Sequence, residues 1–279
     1  MFTLSLNAAL IQFRKIRLGN MHEFFDTIVI NLDDSVERLA SVTAMLEAEK
    51  VTWRRLPAVD GRDGMPLGDY VYDERAALVR HDRPMSGGEV GCFLSHINAL
   101  RLFLSGEKKH AVILEDDVQI ERDFFPKLRM VAESLDLAFN DGWDTFNFST
   151  PVKGFQSRVL KVGGIEVMRS TYMPCGLKGQ LWSRAGAISY LESKFAKKLM
   201  GPVDREMRSH FARRGRSFIP KFPMTGVARF SSDIDATEDR WLTNGKITKT
   251  TFRCKVMRHF PDYLNAYIKL KQFEFGLLN

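Results

Sequence analysis

The sequence predicts an α/β fold: a mostly parallel sheet with helices on both faces, followed by a C-terminal helical and loop elaboration. Three observations predict it. Short β-rich apolar runs alternate with helical stretches through the first 150 residues. The run at 111–114 is apolar throughout, which suits a strand buried on both faces. Predicted strand ends at 31–34, 60–61 and 115–117 all break into polar residues, and ligands of such sheets bind beyond the carboxyl ends of the strands.

The first unit reads as βαβ. Residues 27–32 (TIVINL) are β-rich and apolar. Ser35 is placed to cap a helix whose apolar positions Val36, Leu39, Val42, Met45 and Leu46 recur at helical spacing. A second strand at 53–59 ends at the turn signal Asp60-Gly61. Residues 62–85 read as irregular and polar. A helix then opens near 86–88 and carries Val90, Phe93, Leu94, Ile97, Leu100, Leu102 and Phe103 until Gly106 stops it. Gly91 inside that helix costs about 1 kcal/mol relative to Ala, which points to a close backbone approach. The 111–114 strand follows, then a helix at 124–138 and a strand at 143–148. Past residue 150 the pattern loosens. KVGGIEVMRS reads as a hairpin or a loop, KGQLWSRAGAISYLESKFAKKL as a strand entering a helix, and VDREMRSHFARRGRSF as a strongly basic helix and loop. There is no internal repeat and no low-complexity segment.

The chain has 279 residues, 44% of them hydrophobic, enough to bury a substantial core in one elaborated domain or two. A charged fraction of 27% excludes wholesale disorder. Cys92, Cys175 and Cys254 are far apart and form no CxxC. That argues against a disulfide framework and a structural zinc site, and suits a reducing compartment. No apolar stretch approaches the roughly 18–20 residues that span a bilayer. The opening MFTLSLNAALIQFRKIRLGN places its basic residues after a short apolar stretch, the reverse of a signal peptide. It reads as a surface amphipathic segment or a start-site artefact, with Met21 as an alternative start.

The net charge of +7 is unevenly spread: residues 1–150 hold 17 Lys/Arg against 24 Asp/Glu, and residues 151–279 hold 24 against 10. An acidic half facing a basic half suits a site that holds a cation on one side and a polyanion on the other. A basic face for anionic lipid or nucleic acid is the plainer reading.

In AVILEDDVQI the apolar strand runs directly into Glu115, Asp116 and Asp117. Clustered carboxylates repel and resist burial unless solvent or a cation compensates them. Mg²⁺ and Mn²⁺ take carboxylate oxygens and also accept phosphate oxygens, so a DxD-like element at a strand end suits a metal–diphosphate site; a solvated turn or helix N-terminus is the alternative. A second DxD, Asp233-Ile234-Asp235, lacks a preceding strand and reads first as a polar loop, with an added metal ligand as the other possibility. Ser95 and His96 are adjacent on a predicted helix and so do not face each other. A nucleophilic reading, Ser95 or Cys92 with His96 as base, is disfavoured, with no orienting partner evident, and His96 reads as a helix-face hydrogen-bonding residue.

The motifs IVINLDDSVERL, AVDGRD, GGEVGCFLSHINAL, AVILEDDVQI, KGQLWSRAGA, GPVDREM and FSSDID occur in the order seen in family 25 glycosyltransferases. That family includes bacterial lipooligosaccharide galactosyltransferases, and related domains occur in collagen galactosyltransferases. The resemblance covers roughly residues 25–236, and its most specific part is GEVGCFLSH followed by ILEDD. It implies a GT-A type (Rossmann-like) fold and metal-dependent, inverting transfer from a nucleotide sugar, commonly UDP-galactose. Asn31 and Asp33 match the opening nucleotide-site motif, where this chain has Asp33-Asp34 and the family often has an Arg pair. Asp60 matches the second motif. Glu89, Ser95 and His96 fall in the third, and Glu115, Asp116 and Asp117 in the metal motif, with Glu115 and Asp117 its outer positions. Asp204 in GPVDREM is the leading candidate for the base that deprotonates the acceptor. Asp233 is the alternative base or a metal ligand.

The expectation is therefore an N-terminal extension (1–24), a catalytic domain (25–236) and a basic C-terminal elaboration (237–279). The chain would be a cytoplasmic, Mn²⁺- or Mg²⁺-dependent enzyme moving a hexose from a UDP-sugar to a lipid-linked oligosaccharide or other cell-envelope glycan. The competing classes are a metal-dependent phosphoryl-transfer enzyme or hydrolase, and a basic nucleic-acid-binding module. No zinc-finger or RNP-like motif supports the latter. Near the C-terminus Tyr263, Leu264, Tyr267, Ile268 and Leu270 are interleaved with Lys269 and Lys271 before Phe273 and Phe275. That pattern fits a helix resting on the anionic inner face of a membrane, or one packed on the core with a solvated basic face.

Overall fold

The computed structural model describes residues 24–150, 154–226 and 249–276, with backbone alone for 249–258. The segment containing Met21, the 236/237 boundary and Asp233-Ile234-Asp235 lie outside these residues.

Strand β1 (Asp26–Asn31) leads through helix α1 (Val36–Ala48) to β2 (Trp53–Pro57). Then come α2 (Glu74–His81), α3 (Gly87–Ser105), β3 (His110–Glu115), α4 (Phe124–Phe139) and β4 (Thr145–Asn147). The second half contributes the hairpin β5 (Gln156–Val162) and β6 (Ile165–Ser170), then β7 (Gly179–Ser183), α5 (Arg184–Glu192), α6 (Lys194–Lys197), α7 (Val203–Arg214), β8 (Ser217–Pro220) and α8 (Lys249–Glu274). The eight strands of the described residues form one sheet, ordered β2-β1-β3-β7-β4-β8-β6-β5.

The α/β class holds, but the sheet is mixed rather than mostly parallel. β1 pairs parallel with β2 and β3, and β4 with β8, whereas the β3–β7, β4–β7, β5–β6 and β6–β8 pairings are antiparallel. The reason is a skipped position. The crossover through α4 places β4 one strand away from β3, and β7 returns without a helical crossover to fill the gap in reverse. The start of β7 therefore lies beside the end of β3, with Gly179 opposite Leu114.

Both sheet faces are covered, which accounts for the continuous apolar runs. In β1, Ile28 and Ile30 join one core with Phe93, Ile97 and Leu100 of α3, while Val29 joins the other with Val42 and Leu46 of α1. In β3, Ala111 and Ile113 face the first core, and Val112 and Leu114 the second.

Several local expectations change. Residues 62–85 contain α2, whose cap Asp73 accepts a 2.9 Å hydrogen bond from the Ala76 amide. Its periodicity is invisible because only Ala77 is buried. Ser35 occupies the N-cap of α1 without a side-chain cap bond. KVGGIEVMRS is a hairpin, its Gly163 and Gly164 both at positive φ (55° and 82°), as a tight two-residue turn requires. Ser217 and Phe218, at the end of the stretch read as helix and loop, begin strand β8.

Helix α8 packs on the core, as one of its two readings expects. One face packs on α7: Ala266 is fully buried, and Asp262 accepts hydrogen bonds from Ser209 Oγ (2.5 Å) and Arg213 Nη1 (3.1 Å). Tyr263 stacks on Tyr172 (ring centroids 4.8 Å apart) on the packed side, while Phe260, Leu264, Tyr267 and Ile268 are exposed at helical spacing away from it. Among the described residues, no helix is long and apolar enough to cross a membrane.

Candidate functional site

The carboxyl ends of β1, β2 and β3 converge with the first turns of α3 on one cleft. Close backbone contact brings the loop after β2 onto that helix. A Cβ on Gly91 would lie 2.3 Å from the Val59 carbonyl oxygen, and one on Gly61 would lie 1.8 Å from that of Gly87. Ser95 completes the clamp: its Oγ accepts from the Val59 amide (2.9 Å) and donates to the Gly91 carbonyl (2.7 Å). Two commitments explain why this hydroxyl is unavailable as a nucleophile. Glu89 is likewise occupied. It forms the reciprocal capping box with Ser86 and accepts two hydrogen bonds from Arg83, at 2.7 and 2.6 Å.

Each carboxylate at the end of β3 has a different partner. Glu115 Oε1 lies 3.2 Å from His96 Nε2. Asp116 accepts from Asn31 Nδ2 at 2.7 Å and faces Arg38 at 3.5 Å. Asp117 accepts through Oδ2 from the Lys178 ammonium, delivered by the residue just before β7. Burial pushes the Asp116 carboxyl up against the opposing pull of Asn31 and Arg38. Burial, reinforced by the Glu115 charge, raises Asp117 despite Lys178. Across the cleft, Arg62 bridges Asp60 (2.9 Å) and Asp34 (2.7 Å). Its hydrogen bonds hold Asp60 down at about 2 and lower Asp34 as well.

Asn31, Asp60, Ser95, His96, Glu115, Asp116 and Asp117 therefore line one cleft. The cleft is open to solvent, with about 140 Å³ of space accessible to a water-sized sphere. Asp33 is 82% exposed in its side chain and paired with Arg55, which also donates to Asn31 Oδ1 at 2.8 Å. Neither Asp33 nor Glu89 lines the cleft. Asp204 sits in the first turn of α7, accepting from the Gly176 amide at 3.3 Å. It does not line the cleft; the loop it contacts also carries Lys178. Asp233 lies outside the described residues. Sequence reasoning missed Arg38, Arg62 and Lys178, and weighed Cys92 only as a disfavoured nucleophile. Arg62 had a local signal, two residues after Asp60. Lys178 had none, since its partner is 61 positions away.

The residues fit a hard divalent cation. Asp117 Oδ1 is buried and has no hydrogen-bond partner among the described residues, although a buried carboxylate oxygen ordinarily finds one. It stands beside Glu115, so a cation taking oxygen ligands from both would satisfy the orphaned oxygen and relieve the repulsion that raises Asp117.

An open α/β sheet with a carboxylate cluster beyond the carboxyl ends of its parallel strands has its cleft where ligands of such sheets bind. Residues 24–162 match glycosyltransferase family 25 (LPS biosynthesis protein). A glycosyltransferase 25 family member of Aedes aegypti is 31% identical over 195 residues, covering 68% of this chain and 31% of that protein. Procollagen galactosyltransferase 2 of Mus musculus is 39% identical over 125 residues, covering 43% of this chain and 20% of its own length. A Rattus norvegicus relative described as "Probable inactive glycosyltransferase 25 family member 3" is 30% identical over 128 residues, or 43% of this chain and 22% of its own. This chain belongs to glycosyltransferase family 25. It spans less than a third of the length of these curated relatives.

Proposed function

We propose that the protein transfers a hexose, galactose first among candidates, from a UDP-sugar to a hydroxyl of a lipooligosaccharide or other cell-envelope glycan, with inversion. Family membership supports a nucleotide-sugar donor, and the names of the galactosyltransferase relatives support galactose. The observation that carries the metal-dependent reading is the unpartnered, buried Asp117 Oδ1 beside Glu115 in the carboxyl-edge cleft. Glu115 and Asp117 would hold Mn²⁺ or Mg²⁺, which when bound supplies positive charge to the departing diphosphate. Asn31 and Arg38 hold Asp116 in place within the same cluster.

Inverting transfer also needs a carboxylate to take the acceptor proton. Asp60 is a poor base, because Arg62 holds it at about 2. Asp204 is proposed for the role, with Asp233 as the alternative. The proposed location is the cytoplasmic face of a membrane, where the exposed apolar stripe and lysines of α8 would rest on anionic lipid near a lipid-linked acceptor.

The test is a panel of UDP-Gal, UDP-Glc, UDP-GlcNAc and GDP-Man, with and without Mn²⁺, scored for binding and hydrolysis. Mn²⁺-dependent use of a UDP-sugar is expected, with Asp117→Asn abolishing metal-dependent donor binding while leaving the fold intact. Unchanged Mn²⁺ dependence in that variant removes the metal assignment. Asp204→Asn should lower kcat strongly at unchanged donor affinity; normal activity there, with loss at Asp233→Asn, moves the base to Asp233. Sedimentation with phosphatidylserine vesicles at low salt tests the membrane contact, and failure to co-sediment removes it.

A further inference from the structure

The cleft contains a second group of possible metal ligands with different chemistry. Cys92 and His96 are four residues apart on α3, hence on one face of the helix, and the end of β3 brings Glu115 against them. One ligand atom from each of the three lies within 4.8 Å of the other two. His96 Nε2 and Glu115 Oε1 are 3.2 Å apart. Two donors bound to one tetrahedral metal at about 2.0–2.1 Å lie roughly 3.3–3.4 Å apart, so this edge needs almost no adjustment. The sulfur must close by up to about 1 Å to reach its own place around such an ion, and Cys92 is only partly buried at the cleft wall.

The contact the His96 ring makes through Nε2 is the Glu115 carboxylate, the edge a cation would share; with Nε2 on the metal the ring proton would sit on Nδ1. That nitrogen is buried with no hydrogen-bond partner among the described residues, and the histidine is 1% exposed. The backbone beneath it is fixed by the Ser95 clamp and the Gly91 contact. These features give a rigid His–Glu edge with a thiol beside it and an open side facing the cleft.

We propose that Cys92, His96 and Glu115 form a binding site for a borderline-soft divalent cation, Zn²⁺ first, distinct in ligand chemistry from the all-oxygen pair of Glu115 and Asp117. A thiolate, an imidazole and a carboxylate are a zinc-type donor set, whereas Mg²⁺ and Mn²⁺ prefer oxygen. Binding converts the Cys92 thiol to a thiolate and releases its proton to solvent. The fourth position opens onto the cleft, as in sites that exchange a ligand rather than purely structural ones. Because Glu115 is common to both ligand sets, Zn²⁺ at this site withdraws a ligand from the hard-cation pair and opposes it.

The site is testable without any transfer assay. Co²⁺ serves as the spectroscopic stand-in for Zn²⁺, added to the full chain under reducing conditions. Binding through Cys92 produces a thiolate-to-Co²⁺ charge-transfer absorption in the near ultraviolet and a d–d spectrum of tetrahedral intensity. One equivalent of Zn²⁺ should abolish both. Cys92→Ser, a near-isosteric change whose fold is checked by circular dichroism, should lose the charge-transfer band. Glu115→Gln should weaken Co²⁺ binding at least tenfold, and Asp117→Asn should keep the band. Absence of the band in the unsubstituted chain, or its persistence in Cys92→Ser, overturns the proposal; persistence would transfer the binding to another cysteine. Loss of the band in Asp117→Asn with intact folding also overturns it, because the two ligand sets would then not be distinct. Retention of Mn²⁺ binding in Cys92→Ser, read by electron paramagnetic resonance, is expected. Its loss would count against separate donor sets.

Discussion

Replacing Gly91 with alanine tests how the cleft is assembled. The added methyl carbon would sit 2.3 Å from the Val59 carbonyl oxygen and 3.2 Å from the Gly61 amide nitrogen. Both neighbours are backbone, so no side chain can swing aside. The loop after β2 must retreat from α3, stretching the 2.9 Å hydrogen bond between the Val59 amide and Ser95 Oγ. A clash this short against backbone falls in the upper part of the usual overpacking cost, about 2–3 kcal/mol, and alanine returns about 1 kcal/mol of helix propensity, leaving a net loss of about 1–2 kcal/mol. For a chain of this size that corresponds to a fall in Tm of roughly 2–8 °C. Urea denaturation should show a lower midpoint at an unchanged m-value. Gly106→Ala is the control, since its methyl would meet only the Phe103 carbonyl at an ordinary 3.6 Å. If Gly91→Ala is as stable as the unsubstituted protein, close approach is not what requires glycine there. The account of how Asp60 and Arg62 are held over the cleft then fails with it.

Lys178→Met should tighten Mn²⁺ binding measured by paramagnetic resonance, because the ammonium on Asp117 Oδ2 competes with an added cation; weaker binding would mean that Lys178 supports the metal site instead. Burial, with Arg214 and Arg213 nearby, lowers His210 to about 4 from 6.5. The unfolded chain therefore takes up this proton first, so stability is full above about 6.5 and falls by about 3 kcal/mol as pH drops through about 4. His210→Gln should flatten that part of a pH series of denaturation midpoints, and an unchanged slope would remove His210 as its source. Arg214→Met should cost about 3–5 kcal/mol by leaving the Asp144 carboxylate buried and unpaired, since Arg214 donates to it at 2.7 and 2.9 Å and the residue is fully buried. A thermal melt within a degree of the unsubstituted protein would show that Asp144 finds another partner.

The elements that could be read from sequence are those whose local pattern and tertiary environment agree. TIVIN and AVILE are apolar at consecutive positions because helices cover both faces of those strands, and the helix opened by Ser86 carries its capping box within four residues. The polar ends at Asn31 and Glu115–Asp117 were legible for the same reason, since these buried strands turn polar at their carboxyl ends, and Asp60 was legible as a turn signal. Even Gly91 marked itself, as a residue that helix propensity disfavours. What sequence could not decide is anything set by partners far along the chain. Strand direction at β7 depends on where α4 deposits β4, and β7 has the same apolar character whether it runs parallel or antiparallel. The compensation of three adjacent carboxylates comes from Arg38, His96 and Lys178, which lie 78, 19 and 61 positions from the acids they meet. Asp60 and Asp117 look alike as residues, yet Arg62 holds one near 2 while burial raises the other. A carboxylate's chemistry depends on solvent access and on charges a few ångströms away, and only the folded chain places those.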